Sequence, residues 1–397
     1  MVKEEKKAPK LRFNGYTNDW ERKKLGDVAE KVIQKNNNNA FKNVLTNSAE
    51  YGIISQRDFF ERNIANKNNI STYYIVQNDD FVYNPRISNL APYGPINRNK
   101  TGYTGIISPL YYVFRVLNIN TAFIEWYFKT TCWHKFMYQH GDSGARSDRF
   151  SIKDNELKKL PIKLPADDME QEKIAKTLTS LDNTLQLHER KCEELTLIKK
   201  ALLQKLFPKK DEIKPEVRYK NFSDAWEQRK LREVVNFLDT LRKPLEGAKR
   251  VKGPYPYYGA SGIVDYVDGY LFDEELILLS EDGANITERN YPVCFLASGK
   301  YWVNNHAHVL KIKEDNDNNF ICNSLERKDY TKYNTGMAMP KLNKETCKGI
   351  PIMCPNYDEQ KKIGNYFRKF DTLITLHQHK LEKLKQLKKF LLQNMFI

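Results

Sequence analysis

No apolar run in this sequence approaches the roughly eighteen residues that cross a bilayer, and the first segment, MVKEEKKAPK, has no apolar signal core. Cysteine is scarce as well. The six cysteines form no C-x-x-C pair and no other zinc-binding spacing, which predicts buried free thiols. These absences argue against a membrane protein and against a disulfide scaffold, and we expect a cytoplasmic protein.

Signatures of catalysis are missing too. The sequence has no P-loop, no nucleophile elbow and no acidic cluster typical of a nuclease. Asn84, Pro85 and Arg86 resemble the N-P-P-aromatic motif of amino-methyltransferases only faintly, because the second proline and the aromatic residue are absent. His306 and His308 share one face of a predicted strand but have no evident third metal ligand. We therefore predict a non-catalytic chain with no metal and no cofactor of its own.

Positive charge, in contrast, is in excess. The 65 Lys and Arg residues outnumber the 50 Asp and Glu residues, which gives a formal net charge of +15. This balance predicts a polyanionic partner, and nucleic acid is favoured over an anionic membrane. A length of 397 residues is enough for two or three domains, each with its own core.

The chain repeats itself in two places. LRFNGYTNDWERKKL at Leu11–Leu25 returns as VRYKNFSDAWEQRKL at Val217–Leu231. LPIKLPADDMEQEKI at Leu160–Ile174 returns, with one residue deleted, as IPIMCPNYDEQKKI at Ile350–Ile363. In each copy a P-x-x-x-P segment precedes an acidic first helical turn, as expected at a helix start. Self-similarity of this kind indicates a duplicated unit.

A long helix is predicted after each P-x-x-x-P segment. Its apolar positions recur at alternating steps of about four and three residues, the pattern of a coiled-coil seam. A single helix would leave that seam in water, so we predict that the two helices pair with each other, with the two seam histidines fixing their register. The predicted seam contains Ile174, Leu178, Leu181, Leu185, His188, Leu195, Ile363, Phe367, Phe370, Ile374, His377, Leu381 and Leu384.

Between the repeats lie two divergent regions. In the first, the residues Ser71–Ser88 predict two strands about a turn, Tyr111–Leu117 a third strand, and Thr121–His140 a helix. In the second, strands alternate with Gly and Asp turns, and Ser324–Thr335 is expected to hold a shorter counterpart of that helix.

The duplicated W-E-x-R-K-L segment, the Gly-containing segment that ends each region, the P-x-x-x-P-x(3–4)-E-Q-x-x-I element and the long helix together resemble the specificity subunit of type I restriction-modification systems. The similarity covers nearly the whole chain. It implies that each divergent region is a target-recognition domain that reads one half of a bipartite DNA site. It also implies that the two helices pack antiparallel as a spacer that docks two methyltransferase subunits.

Further partners follow from the same resemblance. Restriction subunits with translocase and nuclease activity would join the complex, S-adenosylmethionine would bind the methyltransferase partner, and ATP and Mg would bind the restriction partner. The second region is shorter than the first. We therefore expect two different half-sites and an asymmetric target.

The predicted fold class is α+β, with two mixed α/β target-recognition domains separated by two long antiparallel coiled-coil helices in an internal pseudo-twofold repeat. The predicted layout is a disordered basic tail (1–10), target-recognition domain 1 (11–160), spacer helix 1 (161–210), target-recognition domain 2 (211–350) and spacer helix 2 (351–397).

Candidate DNA-binding residues follow from the chemistry of base edges. Arg and Lys suit guanine, whereas Asn and Gln suit adenine, so such residues on Gly-containing loops are favoured. The candidates in the first region are Asn84, Arg86, Asn97, Arg98, Lys100, Arg146 and Arg149. In the second region Lys249, Arg250 and Lys252 are predicted to contact phosphates. Predicted nearer the bases are Tyr257, Tyr258, Ser261, Asn304, Asn305, His306 and Lys341. The alternative for many of them is a turn-capping role, since Asn and Gly favour loops anyway.

Two other function classes fit parts of the sequence. One is a free-standing DNA-binding coiled-coil protein with no enzyme partner. The other is an enzyme in its own right, which would methylate DNA from S-adenosylmethionine without another subunit.

Overall fold

The structure, a computed structural model, describes residues 7–59, 70–143, 148–209 and 212–397. The chain divides into two compact units, which we call unit 1 (Met1–Leu187 with Leu381–Ile397) and unit 2 (His188–Lys380). Both units mix helices with short strands, as predicted. Among the described residues, no helix combines the length and the apolar character needed to cross a membrane.

Unit 1 is built on an antiparallel sheet with the strand order β2-β9-β6-β7, accompanied by the pairs β1-β12, β3-β4, β5-β8 and β10-β11. Its strands are β1 (Glu21–Lys24), β2 (Ala29–Lys31), β3 (Leu45–Ser48), β4 (Gly52–Ser55), β5 (Tyr74–Val76), β6 (Phe81–Tyr83), β7 (Ile96–Arg98), β8 (Gly105–Ile107), β9 (Tyr112–Val116), β10 (Asp142–Ser143), β11 (Phe150–Ser151) and β12 (Pro161–Leu164). Its helices are α1 (Leu25–Val28), α2 (Gln56–Phe59), α3 (Thr121–Phe128), α4 (His134–His140), α5 (Asp154–Leu157) and the first part of α6 (Asp168–Lys205).

Unit 2 contains two four-stranded sheets, with the orders β14-β21-β18-β19 and β16-β15-β20-β17, and the pair β13-β22. Its strands are β13 (Glu227–Lys230), β14 (Val235–Phe237), β15 (Lys252–Gly259), β16 (Gly262–Val267), β17 (Phe272–Asp273), β18 (Leu276–Ser280), β19 (Cys294–Ala297), β20 (Lys300–Val303), β21 (Ala307–Ile312) and β22 (Pro351–Cys354). Its helices are α7 (Leu231–Val234), α8 (Asn285–Glu288), α9 (Asn318–Glu326), α10 (Lys344–Lys348) and most of α11 (Tyr357–Asn394).

The duplication predicted from the sequence is present in the backbone. In unit 1, β1 pairs antiparallel with β12 so that Glu21 lies opposite Leu164. In unit 2, β13 pairs with β22 in the same register, with Glu227 opposite Cys354. The repeated W-E-x-R-K-L and P-x-x-x-P segments are thus the two strands of one ribbon, and each unit has its own copy.

Each unit's main core is completed by a phenylalanine that lies two residues after the end of a long helix. In unit 1, Phe396 lies 5.4 Å from Phe123 between ring centroids and is buried in the main core. In unit 2, Phe207, just after α6, lies 5.1 Å from Phe320 and is buried in the corresponding core. Each long helix therefore begins in one unit, and the segment at its other end belongs to the core of the other unit.

The predicted seam is apolar and largely shielded along both long helices. Its first positions, Ile174, Leu178, Ile363 and Phe367, are buried in the unit cores. Further along, Leu185, Leu195 and Leu381 are buried, whereas Leu181, Phe370, Ile374 and Leu384 are half-buried. Within unit 2, the Nδ1 atoms of His188 and His377 lie 2.6 Å apart.

Several local predictions are confirmed and others are corrected. The two strands within Ser71–Ser88 exist as β5 and β6, and β9 occupies Tyr111–Leu117. The predicted helix Thr121–His140 is broken into α3 and α4, because the Thr130 side chain caps the carbonyl of Tyr127 and the chain turns there.

The expected helix at Ser324–Thr335 is wrong. The counterpart of α3 is α9, which begins earlier because Asp317 supplies its N-cap by accepting a hydrogen bond from the Phe320 amide. Within the predicted tail 1–10, the carbonyl of Lys7 accepts a hydrogen bond from the Trp20 amide, and Pro9 is buried. That part of the tail packs on the first strand region.

Candidate nucleic-acid interface

A buried ion pair joins the start of each repeat to the start of each long helix. Arg12 donates two hydrogen bonds to Glu170, at 2.7 and 2.8 Å, and the Glu170 side chain is fully buried. The next residue, Gln171, accepts a hydrogen bond from the Asn120 amide at the N-cap of α3. These contacts fasten the segment before β1 and the N-cap of α3 to the first turn of α6.

The same frame is present in unit 2. Arg218 and Glu359 make the equivalent bidentate pair, and Gln360 accepts from the Asp317 amide at the N-cap of α9. The hydrogen bond to Glu359 raises the pKa of Arg218. The E-Q of the E-Q-x-x-I element therefore has a structural role in both copies: Glu binds the repeat arginine and Gln binds the cap of the neighbouring helix.

Two of the asparagines predicted to bind DNA in unit 1 belong to a buried network. Asn97 donates to the side-chain oxygen of Asn47 at 2.6 Å, and Asn84 donates to the Asn47 carbonyl at 2.8 Å. Lys129 donates to the side-chain oxygen of Asn97 at 2.6 Å, and burial lowers the pKa of Lys129. Asn97 is only 4% exposed, so its amide is occupied within the protein, whereas Asn84 is half-buried.

Arg98 and Lys100 lie together in a second cluster of unit 1. Arg98 contacts Asp79 at 2.9 Å and Glu125 at 3.3 Å, and Lys100 donates to the same Glu125 at 2.8 Å. The Arg98 side chain is mostly shielded, whereas that of Lys100 is 55% exposed. Lys100 is therefore the more accessible cation of this pair.

Arg86 and Arg149 face each other across a backbone bridge in unit 1. Arg86 is exposed and lies 3.9 Å from Asp148, while Arg149 is half-buried. Arg146 and the adjacent Gly144 lie outside the described residues. The structure thus brings together two of the three arginines predicted at this end of the first region.

The predicted phosphate-binding residues of unit 2 lie at the start of β15. Lys249 and Lys252 are exposed, and Lys249 pairs with Glu246 at 2.8 Å. Arg250 contacts Asp265 at 3.3 Å and stacks 4.6 Å above the ring of Tyr257. The Tyr257 side chain is 1% exposed, and its hydroxyl accepts a hydrogen bond from the Leu245 amide. Tyr257 therefore supports the turn that carries the cations instead of facing solvent.

The exposed candidates that remain in unit 2, Ser261, Asn305, His306 and Lys341, meet at one end of the unit. We call this end the loop end; it also contains Asp282 and the segment 336–340. Ser261 is exposed in the β15-β16 turn, and Asn305 and His306 are exposed in the β20-β21 turn. Asn304 is buried, and its side chain holds that turn by accepting from the His306 amide at 2.8 Å. Tyr258 is half-buried, accepts from the Asn304 amide through its carbonyl, and has a pKa raised by burial.

A network of hydrogen-bonded charged side chains packs beneath the surface residues of the loop end. Arg242 donates to Glu281 at 2.8 Å and to the Ala307 carbonyl at 2.7 Å. His308 is buried between Asp239 at Nδ1 and the Leu342 carbonyl at Nε2, both at 2.8 Å. Burial alone would raise the pKa of Asp239, but the hydrogen bond and charge of His308 outweigh it and lower that pKa.

Two exposed hydrogen-bonding side chains of the loop end, His306 and Lys341, each lie beside a carboxylate of the same unit. His306 binds the carboxylate of Asp282 through Nδ1, at 2.8 Å. Its side chain is half exposed, and so is that of Lys341, which lies 3.6 Å from Glu281. Because Nδ1 donates to Asp282, which fixes the orientation of the imidazole, the other ring nitrogen can accept a hydrogen bond from a donor on a base edge.

Sequence reasoning missed most of the residues beneath this surface. Arg242, Asp239 and Glu281 were not singled out as partners, because Glu281 is about 40 residues from the other two in the sequence and no repeat links them. Arg12 and Arg218 did carry a signal, since both are repeated at one offset, but their glutamate partners are distant in sequence. Among the described residues, no group of three or more His, Cys, Asp or Glu side chains could hold a metal ion.

Comparison with known proteins gives a consistent assignment. The family model of the type I restriction modification DNA specificity domain matches residues 17–197 and again residues 223–386. A Haemophilus influenzae protein provisionally named a type I restriction enzyme specificity subunit is 39% identical over 137 residues, which cover 34% of this chain and 35% of that protein. The MjaVIII specificity subunit of Methanocaldococcus jannaschii is 26% identical over 269 residues, which cover 57% of this chain and 60% of that protein.

The matched segments thus span about one third to three fifths of these relatives. The fold itself extends further. The S subunit of a type I restriction-modification system from M. genitalium superposes with a TM-score of 0.69 over 98% of this chain and 99% of that one, at 15% sequence identity. The two matches to the family model fall on the two copies of the frame, since each contains one strand ribbon, one buried glutamate (Glu170 or Glu359) and most of one long helix. The chain belongs to the family of type I restriction modification DNA specificity domains.

Proposed function

We propose that this chain is the DNA-specificity subunit of a type I restriction-modification complex, in which unit 1 and unit 2 each read one half of a bipartite, asymmetric site. The observation that carries the proposal is the double match to the specificity-domain family, which coincides with a duplicated structural frame. The net charge of +15 supports a polyanionic partner.

Base recognition is assigned to loops that the frame holds in place. In unit 2 these are the exposed residues of the loop end, with Lys249 and Lys252 on phosphates. In unit 1 they are Arg86 and Lys100, which are exposed. The loops differ between the two units whereas the Arg–Glu frame does not, which supports two different half-sites read by one type of scaffold.

The long helices are proposed to form an antiparallel coiled-coil spacer. Contacts inside each unit support this pairing: His188 meets His377 and Lys199 binds Asp371 in unit 2, and Lys388 binds Asp182 in unit 1. Each helix has 38 residues, and at about 1.5 Å per residue it extends ~57 Å. That length is ample for half-sites about 34 Å apart.

The spacer proposal has its own test. Inserting or deleting whole helical turns equally in α6 and α11 is expected to change the DNA spacer and to leave each half-site intact. Methylome sequencing of a host that carries each variant measures both quantities. An active complex with an unchanged spacer would refute the role of the helices in setting distance.

Methylation and cleavage are assigned to partner subunits: two methyltransferase subunits that use S-adenosylmethionine, and restriction subunits that use ATP and Mg. Exposed apolar side chains at equivalent positions of the two helices support paired docking. Leu187 and Leu376 are 58% and 60% exposed, and Ile198 and Leu387 are 47% and 44% exposed. Two matched apolar patches suit two copies of one partner.

The proposed function is tested by mapping methylated adenines in a host with and without this chain. We expect one bipartite motif to be methylated only when the chain is present. If the same motifs are methylated with and without the chain, or if the chain does not co-purify with methyltransferase subunits, a free-standing DNA-binding protein would be favoured. Methyl transfer to DNA by the purified chain alone would instead establish an enzyme.

A further inference from the structure

The most exposed large apolar side chain among the described residues lies at the loop end of unit 2. Met337 is 100% exposed and Met339 is 61% exposed, and both belong to the segment Gly336–Pro340, which we call the methionine loop. Apolar surface of this kind is costly to leave in water. Its position at the tip of a loop in a DNA-recognition unit requires an explanation.

The methionine loop is closed and anchored. The side-chain oxygen of Asn334 accepts hydrogen bonds from the amides of Gly336 at 2.9 Å and Lys341 at 2.8 Å. The Thr335 amide donates to the Lys341 carbonyl, which ties the two ends of the loop together. Only glycine fits at position 336, because a Cβ there would lie 1.8 Å from the carbonyl oxygen of Met339. The two methionines are therefore exposed on a loop whose backbone is fixed by hydrogen bonds.

The loop is also fastened to the polar part of the loop end. The Pro340 carbonyl accepts a hydrogen bond from the Gly283 amide at 3.1 Å, and Asp282 and Lys341 form a backbone bridge. The exposed His306 binds Asp282, so hydrogen-bonding groups stand beside the apolar tip.

The carboxylates around the loop already have partners inside unit 2. Glu281 is engaged by Arg242 and lies near Lys341, and Asp282 is hydrogen-bonded by the imidazole of His306. Lys341 remains half exposed. An apolar tip beside an exposed ammonium and a half-exposed imidazole matches a DNA groove, where phosphates flank a stack of bases.

We propose that the methionine loop is a wedge that inserts between stacked base pairs of duplex DNA and bends the duplex at the half-site read by unit 2. Methionine side chains are flexible and polarizable and serve as wedges in other bent complexes. His306 and Lys341 would hold the adjacent strand while the thioether side chains enter the stack. The deformation adds recognition through the flexibility of the base step, beyond direct contacts to base edges.

This inference rests on the proposed function, and its test separates the two. The full-length chain is first used to recover bound duplexes from a library with randomised positions. The recovered duplex, labelled with a dye at each end, then reports affinity by fluorescence anisotropy and bending by energy transfer. These measurements compare the wild-type chain with the double variant Met337→Ser, Met339→Ser and with Met337→Leu.

The double variant is expected to bind the selected duplex about tenfold more weakly, because unstacking is no longer offset by apolar contact. It is also expected to lose the bend while keeping the salt dependence of binding, since no phosphate contact is removed. Met337→Leu should keep the bend because it retains the apolar volume. Met169→Ser is the matched control, as Met169 is 63% exposed but lies at the start of α6.

The outcomes are distinct. A double variant that bends and binds the duplex like the wild type overturns the wedge and leaves the proposed function standing. A double variant that keeps the bend but no longer co-purifies with the host's methyltransferase subunits assigns the loop to a protein partner, which also overturns the wedge. A wild-type chain that selects no duplex overturns the proposed function and the wedge together.

Discussion

Arg218 donates two hydrogen bonds to Glu359, at 2.8 and 2.7 Å, although the two residues are far apart in sequence and the glutamate side chain is fully buried. Arg12 and Glu170 repeat the same geometry in the other unit. Each pair ties the segment that precedes a strand ribbon to the first turn of a long helix. A buried charge of this kind is stable only while its partner is present.

Removing one partner is therefore expected to be costly. Arg218→Met should lower the free energy of unfolding by about 3–5 kcal/mol, because Glu359 would keep its charge in a dry site. Equilibrium denaturation in urea measures the change. The double variant Arg218→Met, Glu359→Leu should recover most of the loss, since an apolar pair of similar volume needs no counter-charge. A double variant no more stable than the single one would show that the ion pair is not the source of the effect.

The elements of this frame could largely be predicted from the sequence. Which arginine pairs with which glutamate could not. The repeats located the ribbon strands, the helix starts and the seam, because those features are local and periodic. The partner of Arg218 lies beyond the whole second region, and no periodicity links the two. The position of α9 was missed for a related reason: its N-cap at Asp317 depends on Gln360, a distant residue.

The candidate site was predictable by residue type but not by environment. Asn97 and Asn305 have the same side chain in loop-rich regions, yet Asn97 is buried by Asn47 and Lys129 whereas Asn305 is exposed. Met337 gave no signal, since a methionine in a sequence is expected to be in the core. Burial is set by tertiary contacts, and it decides which of these side chains can reach DNA.

The glycine at position 364 of α11 is expected to be required for packing. A Cβ there would lie 1.9 Å from the Asp317 carboxylate oxygen that caps α9. Gly364→Ala gains roughly 1 kcal/mol of helix propensity but displaces the cap, and we expect a net loss of about 1–3 kcal/mol. Thermal unfolding of the variant and of the wild type shows whether the substitution raises or lowers stability. Unit 1 has Ala175 at the equivalent position, and Ala175→Gly should destabilise the protein by about 1 kcal/mol because glycine disfavours the helix. A Gly364→Ala variant that is more stable than the wild type would contradict the predicted clash.

The segment that directly follows α11 is expected to stabilise unit 1 through Phe396. This side chain is 4% exposed and contacts Phe123 and Trp20. Phe396→Ala should cost about 3–5 kcal/mol of unfolding free energy, because it leaves a cavity among aromatic rings. Phe390 on the same helix is 52% exposed and provides the control, since Phe390→Ala should change stability by about 0.5 kcal/mol or less. Equal effects of the two substitutions would mean that Phe396 does not complete the core.

The histidine pair in unit 2 predicts a dependence of stability on pH. Burial lowers the pKa of His188, and the charges of Lys380 and His377 lower it further. The folded state therefore prefers the neutral ring, so its contribution is present above the usual value of 6.5 and is lost as the pH falls below it. With both rings protonated, neither Nδ1 can accept the hydrogen bond between them.

Unfolding midpoints of the wild type and of His188→Gln, measured across this pH range, test the prediction. The wild type should lose stability more steeply than the variant as the pH falls below 6.5. His379, which is exposed on α11, the helix of His377, supplies the control variant His379→Gln, which should follow the wild type. Parallel curves for the wild type and His188→Gln would argue against a role for the pair.

Asn97 and Asn305 separate the support of a recognition loop from the reading of DNA. Asn97→Ala leaves Asn47 and the Lys129 ammonium without a buried partner, and should lower the unfolding free energy by about 1–3 kcal/mol. Asn305→Ala should leave stability unchanged within about 0.5 kcal/mol, because the side chain is exposed. Its effect should appear instead in DNA affinity, as a loss of about 1–3 kcal/mol if the amide contacts a base edge. Urea denaturation and anisotropy titrations with a duplex selected by the wild-type chain measure both quantities on the same preparations. An Asn97→Ala variant with unchanged stability but weakened binding would place Asn97 at the DNA surface, because only a side chain that leaves the buried network can contact a base without disturbing the fold.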